Sequence, residues 1–168
     1  MVTKIGEKMF KEEIKNLGAN KQVLVLFDMD GTLVEYGQGE KPLILNNTPS
    51  FYLNKRKLST TCKIVEEISK YKNVTVGIMS NCYFDEQKQD KITWLSIHLP
   101  FLKQENIYIN VYKNIDYKKE EKDFIKYNRI KTIEGFDQIF LIEDEHNIIK
   151  ATNKLSPNTA HHISELID

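Results

Sequence analysis

Five apolar residues, Val23–Phe27, run without a break into two aspartates one residue apart and then a glycine and a threonine, in the stretch VLVLFDMDGTLVEY. A half-buried strand alternates apolar and polar positions, so an unbroken apolar run that ends on charge describes a strand covered on both faces, as in parallel sheets. Such a sheet needs helical crossovers between its strands, and that requirement restricts the chain to an α/β architecture.

The rest of the chain meets it. Ile5, Met9, Phe10, Ile14 and Leu17 fall on one helical face, and Gly18 with Asn20 supplies a stop. Cys62–Tyr71 reads as an amphipathic helix leading into a second apolar run, Val74–Met79. Gln87–Leu99 is helical, with Ile92, Trp94, Leu95 and Leu99 as its apolar positions and Pro100 beyond its end. Asn106–Tyr112 forms a third strand, Asp116 N-caps a helix through Arg129, and Gln138–Ile142 forms a fourth strand. Asn147–Leu155 is a last helix and Thr159–Ile163 a short final strand, with no internal repeat or low-complexity segment. Strands separated by helices predict right-handed βαβ units, hence a three-layer, Rossmann-like parallel sheet with its site at the carboxyl ends of the strands.

The residues just beyond each strand are therefore the informative ones. Asp28 and Asp30 come after the first, Ser80 and Asn81 after the second, the basic segment Lys113 to Lys122 after the third, and Glu143, Asp144 and Glu145 after the fourth. Two carboxylates held ~4 Å apart repel by roughly 4 kcal/mol at an effective dielectric near 20, so such a cluster calls for a cation or a retained proton. A few hard oxygen ligands suit Mg²⁺ better than zinc, and a cation beside a hydroxyl and a lysine makes a pocket for phosphate.

Composition removes other classes. The 24 basic and 24 acidic side chains of this 168-residue chain cancel, so no global charge drives it to nucleic acid or an anionic membrane. The length suits one domain. Cys62 and Cys82 are far apart, with no disulfide framework or zinc spacing, and a reducing cytoplasmic setting is expected. The N-terminal segment mixes acids and bases without the apolar core of a signal peptide, and no run approaches the ~18 residues of a membrane helix. Cys82 has no histidine placed to activate it, and His98, His161 and His162 read as structural or solvated.

FDMDGTL resembles the first motif of the haloacid dehalogenase superfamily of phosphohydrolases. VGIMSN is similar to the second motif, and IFLIEDEHNIIKATNKL to the fourth. The resemblance runs in the family's order from Val23 onward. It implies a single haloacid dehalogenase-like domain acting as a Mg²⁺-dependent phosphatase. On that resemblance Asp28 is the nucleophile that forms an aspartyl-phosphate, and Asp30 is the general acid and base. Asp28, the Asp30 carbonyl and Asp144 hold Mg²⁺, and Ser80 and Asn81 bind phosphoryl oxygens. Glu143 stands where the family often has Gly or Asp, which leaves its part as a ligand open.

The third motif departs from the family's Lys-Pro. Lys118 keeps the lysine-to-aromatic spacing, to Phe124, and is assigned to phosphate; Lys113, Lys119 and Lys122 are alternatives. The interval from about residue 35 to 60 is too short for a cap domain and predicts a minimal, open insert. Within it PSFYLNKRKL resembles the short cap of 5'(3')-deoxyribonucleotidases, while KITWL is similar to polynucleotide kinase-phosphatases. The expected partner is a phosphate ester, a nucleotide first and a nucleic-acid 3' end as the alternative, with no membrane. Tyr36, Phe51 and Tyr52 are expected on the lip of the site, where a base could stack, with Lys55, Arg56 and Lys57 beyond. A catalytically weak module that binds phosphorylated ligands or a protein is the reading from another class.

Overall fold

The computed structural model describes residues 5–36 and 52–167, with side chains from Phe10 onward. Helix α1 is Ile5–Gly18. Strand β1 is Val23–Phe27, and all five of its residues are buried. Helix α2 is Ser59–Ile68 and β2 is Val74–Cys82. Then come α3, Asp85–His98, and β3, Ile107–Val111. A 3₁₀ segment, Lys119–Phe124, leads into α4, Ile125–Ile130. The chain ends with β4, Gln138–Glu143, α5, His146–Leu155, and β5, Ala160–His162.

The five strands form one sheet in the order β3-β2-β1-β4-β5, with every pairing parallel. Strand β1 is central, with Val25 opposite Val76 on one side and Phe140 on the other. Val23, Val25 and Phe27 point to one face, where Phe10 and Ile14 of α1, Val65 and Ile68 of α2 and Trp94 and Leu95 of α3 close over them. Leu24 and Leu26 point to the opposite face, against Ile130 of α4 and Ile148 of α5. The uninterrupted apolar run thus serves two separate cores, one on each side of a three-layer α/β sandwich.

The chain steps outward from β1 through β2 to β3 and then returns across β1 to place β4 on its other side. This reversal leaves a crevice at the carboxyl end of β1. Strand β2 pairs with β1 only as far as Ile78 opposite Phe27, then continues against β3 with Ser80 opposite Ile109 and Asn81 opposite Asn110. Ser80 and Asn81 therefore lie within an overshooting strand rather than after its end, where the sequence pattern puts them. The expected helix from Asp116 to Arg129 is also revised: the segment is a 3₁₀ turn and then the short α4. Its first residues are committed to ring contacts, with Tyr117 5.6 Å from Tyr112 between centroids.

Of the insert, the described part is a short 3₁₀ turn, Tyr52–Asn54, and a stretch running back along the loop after β1. There the Glu35 amide donates to the Arg56 carbonyl (3.0 Å) and the Leu58 amide to the Leu33 carbonyl (2.8 Å). Phe51 lies outside the described residues. No helix among the described residues is long and apolar enough to cross a membrane.

Candidate active site

The backbone fixes Asp28 first. Its amide donates to the Ile142 carbonyl at 2.9 Å, extending the β1–β4 ladder by one step beyond Phe27. The chain then turns tightly, with the amides of Thr32, Leu33 and Val34 converging on the Met29 carbonyl. Gly31 has φ of +79°, which favours glycine. A Cβ there would also strike the Asp144 carboxylate and the Tyr36 ring. The glycine of the DMDGT stretch is thus what lets the first and fourth strand ends approach.

Around Asp28 lies a chain of buried charge. Lys126 Nζ donates to Asp28 Oδ1 at 2.6 Å and to Glu143 Oε2, with the lysine side chain 3% exposed and Glu143 fully buried. Glu143 Oε1 accepts from the amides of Asp144 (3.1 Å) and Glu145 (3.3 Å), so both its oxygens are engaged. Burial raises the Asp28 carboxyl to about 6, and Glu143 adds to the rise against the opposing pull of Lys126. Burial pulls the Lys126 ammonium down, but Asp28 and Glu143 outweigh it and hold the ammonium above its ordinary range.

Asp144 completes this group. Its Oδ2 accepts the Tyr36 hydroxyl, while its Oδ1 is buried without a protein partner. Burial raises the Asp144 carboxyl, and it raises the Tyr36 phenol too, so the hydroxyl stays a donor. Carboxylate oxygens of Asp28, Glu143 and Asp144 lie within 4.8 Å of one another. This is the one such acidic group among the described residues.

Asp30 has the opposite surroundings. Lys55 Nζ donates to its Oδ1 at 2.8 Å and Lys91 Nζ to its Oδ2 at 2.5 Å. Lys91, itself buried, also donates to Ser80 Oγ (2.8 Å) and the Asn81 carbonyl (3.0 Å). Burial pushes the Asp30 carboxyl up, but the two ammonium groups outweigh it and hold the acid well below the usual carboxylate range. Tyr52 packs beneath them, its ring 4.6 Å from Lys55 Nζ and 5.1 Å from Lys91 Nζ. Trp94 Nε1 donates to the Lys55 carbonyl at 3.1 Å, which fastens the insert to α3.

Asp28, Asp30, Ser80, Asn81 and Asp144 are brought together as the sequence pattern implies. Lys118 is not among them. It is exposed at the start of the 3₁₀ segment, where its amide donates to the Glu121 carboxylate at 2.8 Å, and the lysine on the strand-end carboxylates is Lys126. Lys113, Lys119 and Lys122 do not reach those carboxylates either; Lys122 lies over the rings of Tyr83 and Tyr112. The Asn81 amide is engaged as well, donating to Tyr112 Oη (3.0 Å) while its oxygen accepts from Asn110 (2.8 Å). Tyr52 is buried rather than on the lip.

Three lysines of the site are given no part at the carboxylates by the sequence pattern: Lys55 and Lys91 fall inside PSFYLNKRKL and KITWL, and Lys126 lies in none of the stretches quoted above. Lys91 carries a signal all the same, since it shares the buried stripe of α3 with Gln87, Trp94 and Leu95, where a lysine needs an acid. Lys126 carries a weaker one, four residues before the buried Ile130.

The comparisons with known proteins bear on the fold. No protein-family model and no curated protein matches the chain. Solved structures do. A chain of the structure described as the Pnkp1/Rnl/Hen1 RNA repair complex superposes with a TM-score of 0.64 at 15% identity, over 84% of this chain and 42% of that one. A chain of a second structure, the Pnkp1/Rnl/Hen1 complex, superposes with a TM-score of 0.63 at 14% identity, over 85% of this chain and 46% of that one. This chain thus spans less than half the length of those it resembles, and the likeness is one of fold.

Proposed function

We propose that this chain is a Mg²⁺-dependent phosphatase that hydrolyses phosphate monoesters through a phosphoryl group carried on Asp28. The observation that carries the reading is the buried Asp28–Lys126–Glu143 chain of charge at the carboxyl end of the central strand. A carboxyl raised to about 6 is still mostly ionised at neutral pH, and it is more basic than an ordinary aspartate. Lys126 orients it and balances its charge. Asp28 attacks phosphorus, the ester P–O bond breaks, and the departing oxygen takes a proton from Asp30. Water then gives a proton to Asp30, attacks the aspartyl-phosphate, and frees Asp28 and inorganic phosphate.

At rest Lys55 and Lys91 keep Asp30 ionised. As those ammonium groups turn toward an incoming phosphoryl dianion, with Ser80, already on Lys91, placed to join them, Asp30 takes up from solvent the proton that it passes to the departing oxygen, and the proton it later takes from the attacking water returns to solvent.

The donor set fits a hard divalent cation, because the buried Asp144 Oδ1 has no partner and the carboxylate oxygens around it are close. Asp28, Asp144 and the Asp30 carbonyl would hold Mg²⁺, whose chemistry there is to neutralise phosphoryl charge. Glu143, with both oxygens engaged, orients rather than ligates.

Nucleotides are the first substrate class, from the resemblance of the insert. The alternative, a 3'-phosphatase on nucleic-acid ends, is favoured by the fold likeness to chains of an RNA repair complex. The test is turnover of nucleoside monophosphates, sugar phosphates and a 3'-phosphorylated oligonucleotide, with Mg²⁺ and with chelator. Chelator-sensitive release of phosphate is expected, and the preferred ester separates the two readings. An absence of turnover with Mg²⁺, alongside measurable phosphate binding, would support a binding module instead. For the metal, Mg²⁺ is expected to raise the melting temperature of the wild type but not of Asp144→Ala; an equal rise in both would remove Asp144 from the ligand set.

A further inference from the structure

The loss of Tyr52 from the lip leaves the question of what could hold the group esterified to the phosphate. Two of the described exposed aromatics, Tyr36 and Tyr83, come directly after elements of the site, whereas Phe101 comes after α3 and lies toward the opposite edge of the sheet. Tyr83 succeeds β2 and is 37% exposed. Its ring centroid is 5.1 Å from that of Tyr112, which is in turn 5.6 Å from that of Tyr117. Lys122 Nζ lies over two of these rings, 5.1 Å from the centroid of Tyr112 and 5.7 Å from that of Tyr83, and donates to Tyr83 Oη at 3.5 Å.

This wall is tied to both charge clusters. Burial raises the Tyr112 phenol, and among the charges that pull it back down is that of Lys126, which holds Asp28. Tyr112 Oη accepts from Asn81, whose carbonyl accepts from Lys91, and Lys91 holds Asp30. A phosphoryl group on Asp28 therefore has the tyrosine wall as its neighbour on the β2–β3 side.

We infer that the Tyr83–Tyr112–Tyr117 wall, with Lys122, is a nucleobase-binding site that selects nucleotidyl leaving groups over bare sugar phosphates. The rings are tilted to one another, by 57° between Tyr83 and Tyr112 and 43° between Tyr112 and Tyr117, so a base would stack on a single ring, which its neighbours hold in place at little cost in side-chain entropy. Lys122 adds a cation for the phosphodiester or the base edge. A small sugar phosphate has nothing to set against the rings. The chemistry is shared by a free mononucleotide and by the terminal nucleotide of a single strand.

The inference rests on the phosphatase reading, so its test has two readouts. The first is the preference, as a ratio of kcat/KM, for a nucleoside 5'-monophosphate and for a 3'-phosphorylated short oligonucleotide, each over ribose 5-phosphate. Tyr83→Ala is expected to lower that preference at least fivefold, about 1 kcal/mol, mainly through KM, and Tyr83→Phe to restore it. The arm that moves more identifies the source, a free nucleotide or a strand end. A preference unchanged in both arms, or one that Tyr83→Phe fails to restore, overturns the wall.

The second readout is calorimetric binding of a nucleoside monophosphate against inorganic phosphate, which needs no turnover. If nothing is hydrolysed, a nucleotide affinity that falls at least fivefold more than phosphate affinity in Tyr83→Ala still supports the wall. Equal losses, or no nucleotide binding by the wild type, overturn it.

Discussion

Asp28 and Asp30 are separated by a single residue, yet one shares a lysine with a second acid and the other has two lysines to itself. The first carboxyl is raised to about 6 by burial and by Glu143, while the second is held below the usual range by Lys91 and Lys55. The difference arises from the strand end. Asp28 is still in the ladder against β4 and faces what β4 and α4 deliver, whereas Asp30 lies within the turn that follows and faces α3 and the insert. Two identical side chains thus sit in unlike surroundings, one beside a second acid and the other between two lysines, all supplied by distant elements.

The most severe way to break the comparison is to neutralise its first member. Asp28→Asn keeps the shape and removes the nucleophile, so kcat is expected to fall by three orders of magnitude or more, above about 4 kcal/mol, with the circular dichroism spectrum unchanged. Retention of a tenth of the rate would remove Asp28 from its role.

Next comes the lysine that makes the first cluster tolerable. Lys126→Met leaves Asp28 and Glu143 facing each other in a buried site, and a loss of about 3–5 kcal/mol is expected in urea melts. Adding Glu143→Gln is expected to recover part of that stability. If Lys126→Met costs less than about 1 kcal/mol, the buried charges are not coupled as described.

Acidity sharpens the contrast between the two aspartates. The folded protein holds the Asp28 proton up to about pH 6, against 3.8 for an ordinary aspartate. The folded state thus binds the proton more tightly, so this group's contribution to stability falls as pH rises from about 4 to 6. In chelator, the stability of Asp28→Asn relative to wild type is expected to grow by about 2 kcal/mol between pH 4 and pH 7. A gap that stays flat, or shrinks as pH rises, contradicts the raised carboxyl. Asp30 contributes the other way, stabilising above its unfolded value and losing that stabilisation as pH falls through its depressed one.

The smallest effect expected is that of Lys118→Ala. An exposed lysine off the site is worth about 0.5 kcal/mol or less, so kcat/KM is expected to stay within about twofold of wild type. A larger loss would return Lys118 to the phosphate site.

How much of the molecule is legible in its sequence depends on the range of the interactions. The apolar run of β1, the DMDGT turn and the acidic pair at the end of β4 are local patterns whose hydrogen-bond and burial consequences are carried in a few neighbouring residues. The lysines are not local. Lys126 reaches Asp28 from 98 positions away and Lys91 reaches Asp30 from 61, and neither pairing has a spacing rule. Lys118 attracts the phosphate assignment because a regular helix from Asp116 would place it in the first turn. The rings of Tyr112 and Tyr117 hold that segment in another shape, and the turn carrying Lys126 becomes the one that enters the crevice. The burial of Tyr52 comes from α3, whose Trp94 grips the insert through Lys55, a contact invisible from either segment alone.

The central place of β1 also governs the order in which this molecule can be completed. One edge of β1 is satisfied by β2, but the other stays an open ladder until β4 arrives, 115 residues later at Gln138 opposite Val23. During synthesis the emerging chain therefore carries a bare, wholly apolar strand edge through most of its length, a template for pairing with other chains. The same delay keeps Asp28 and Glu143 in water until α4 and β4 have both docked, so their desolvation belongs to a late stage of folding. Assembly of the charge cluster and closure of the sheet are thus one event.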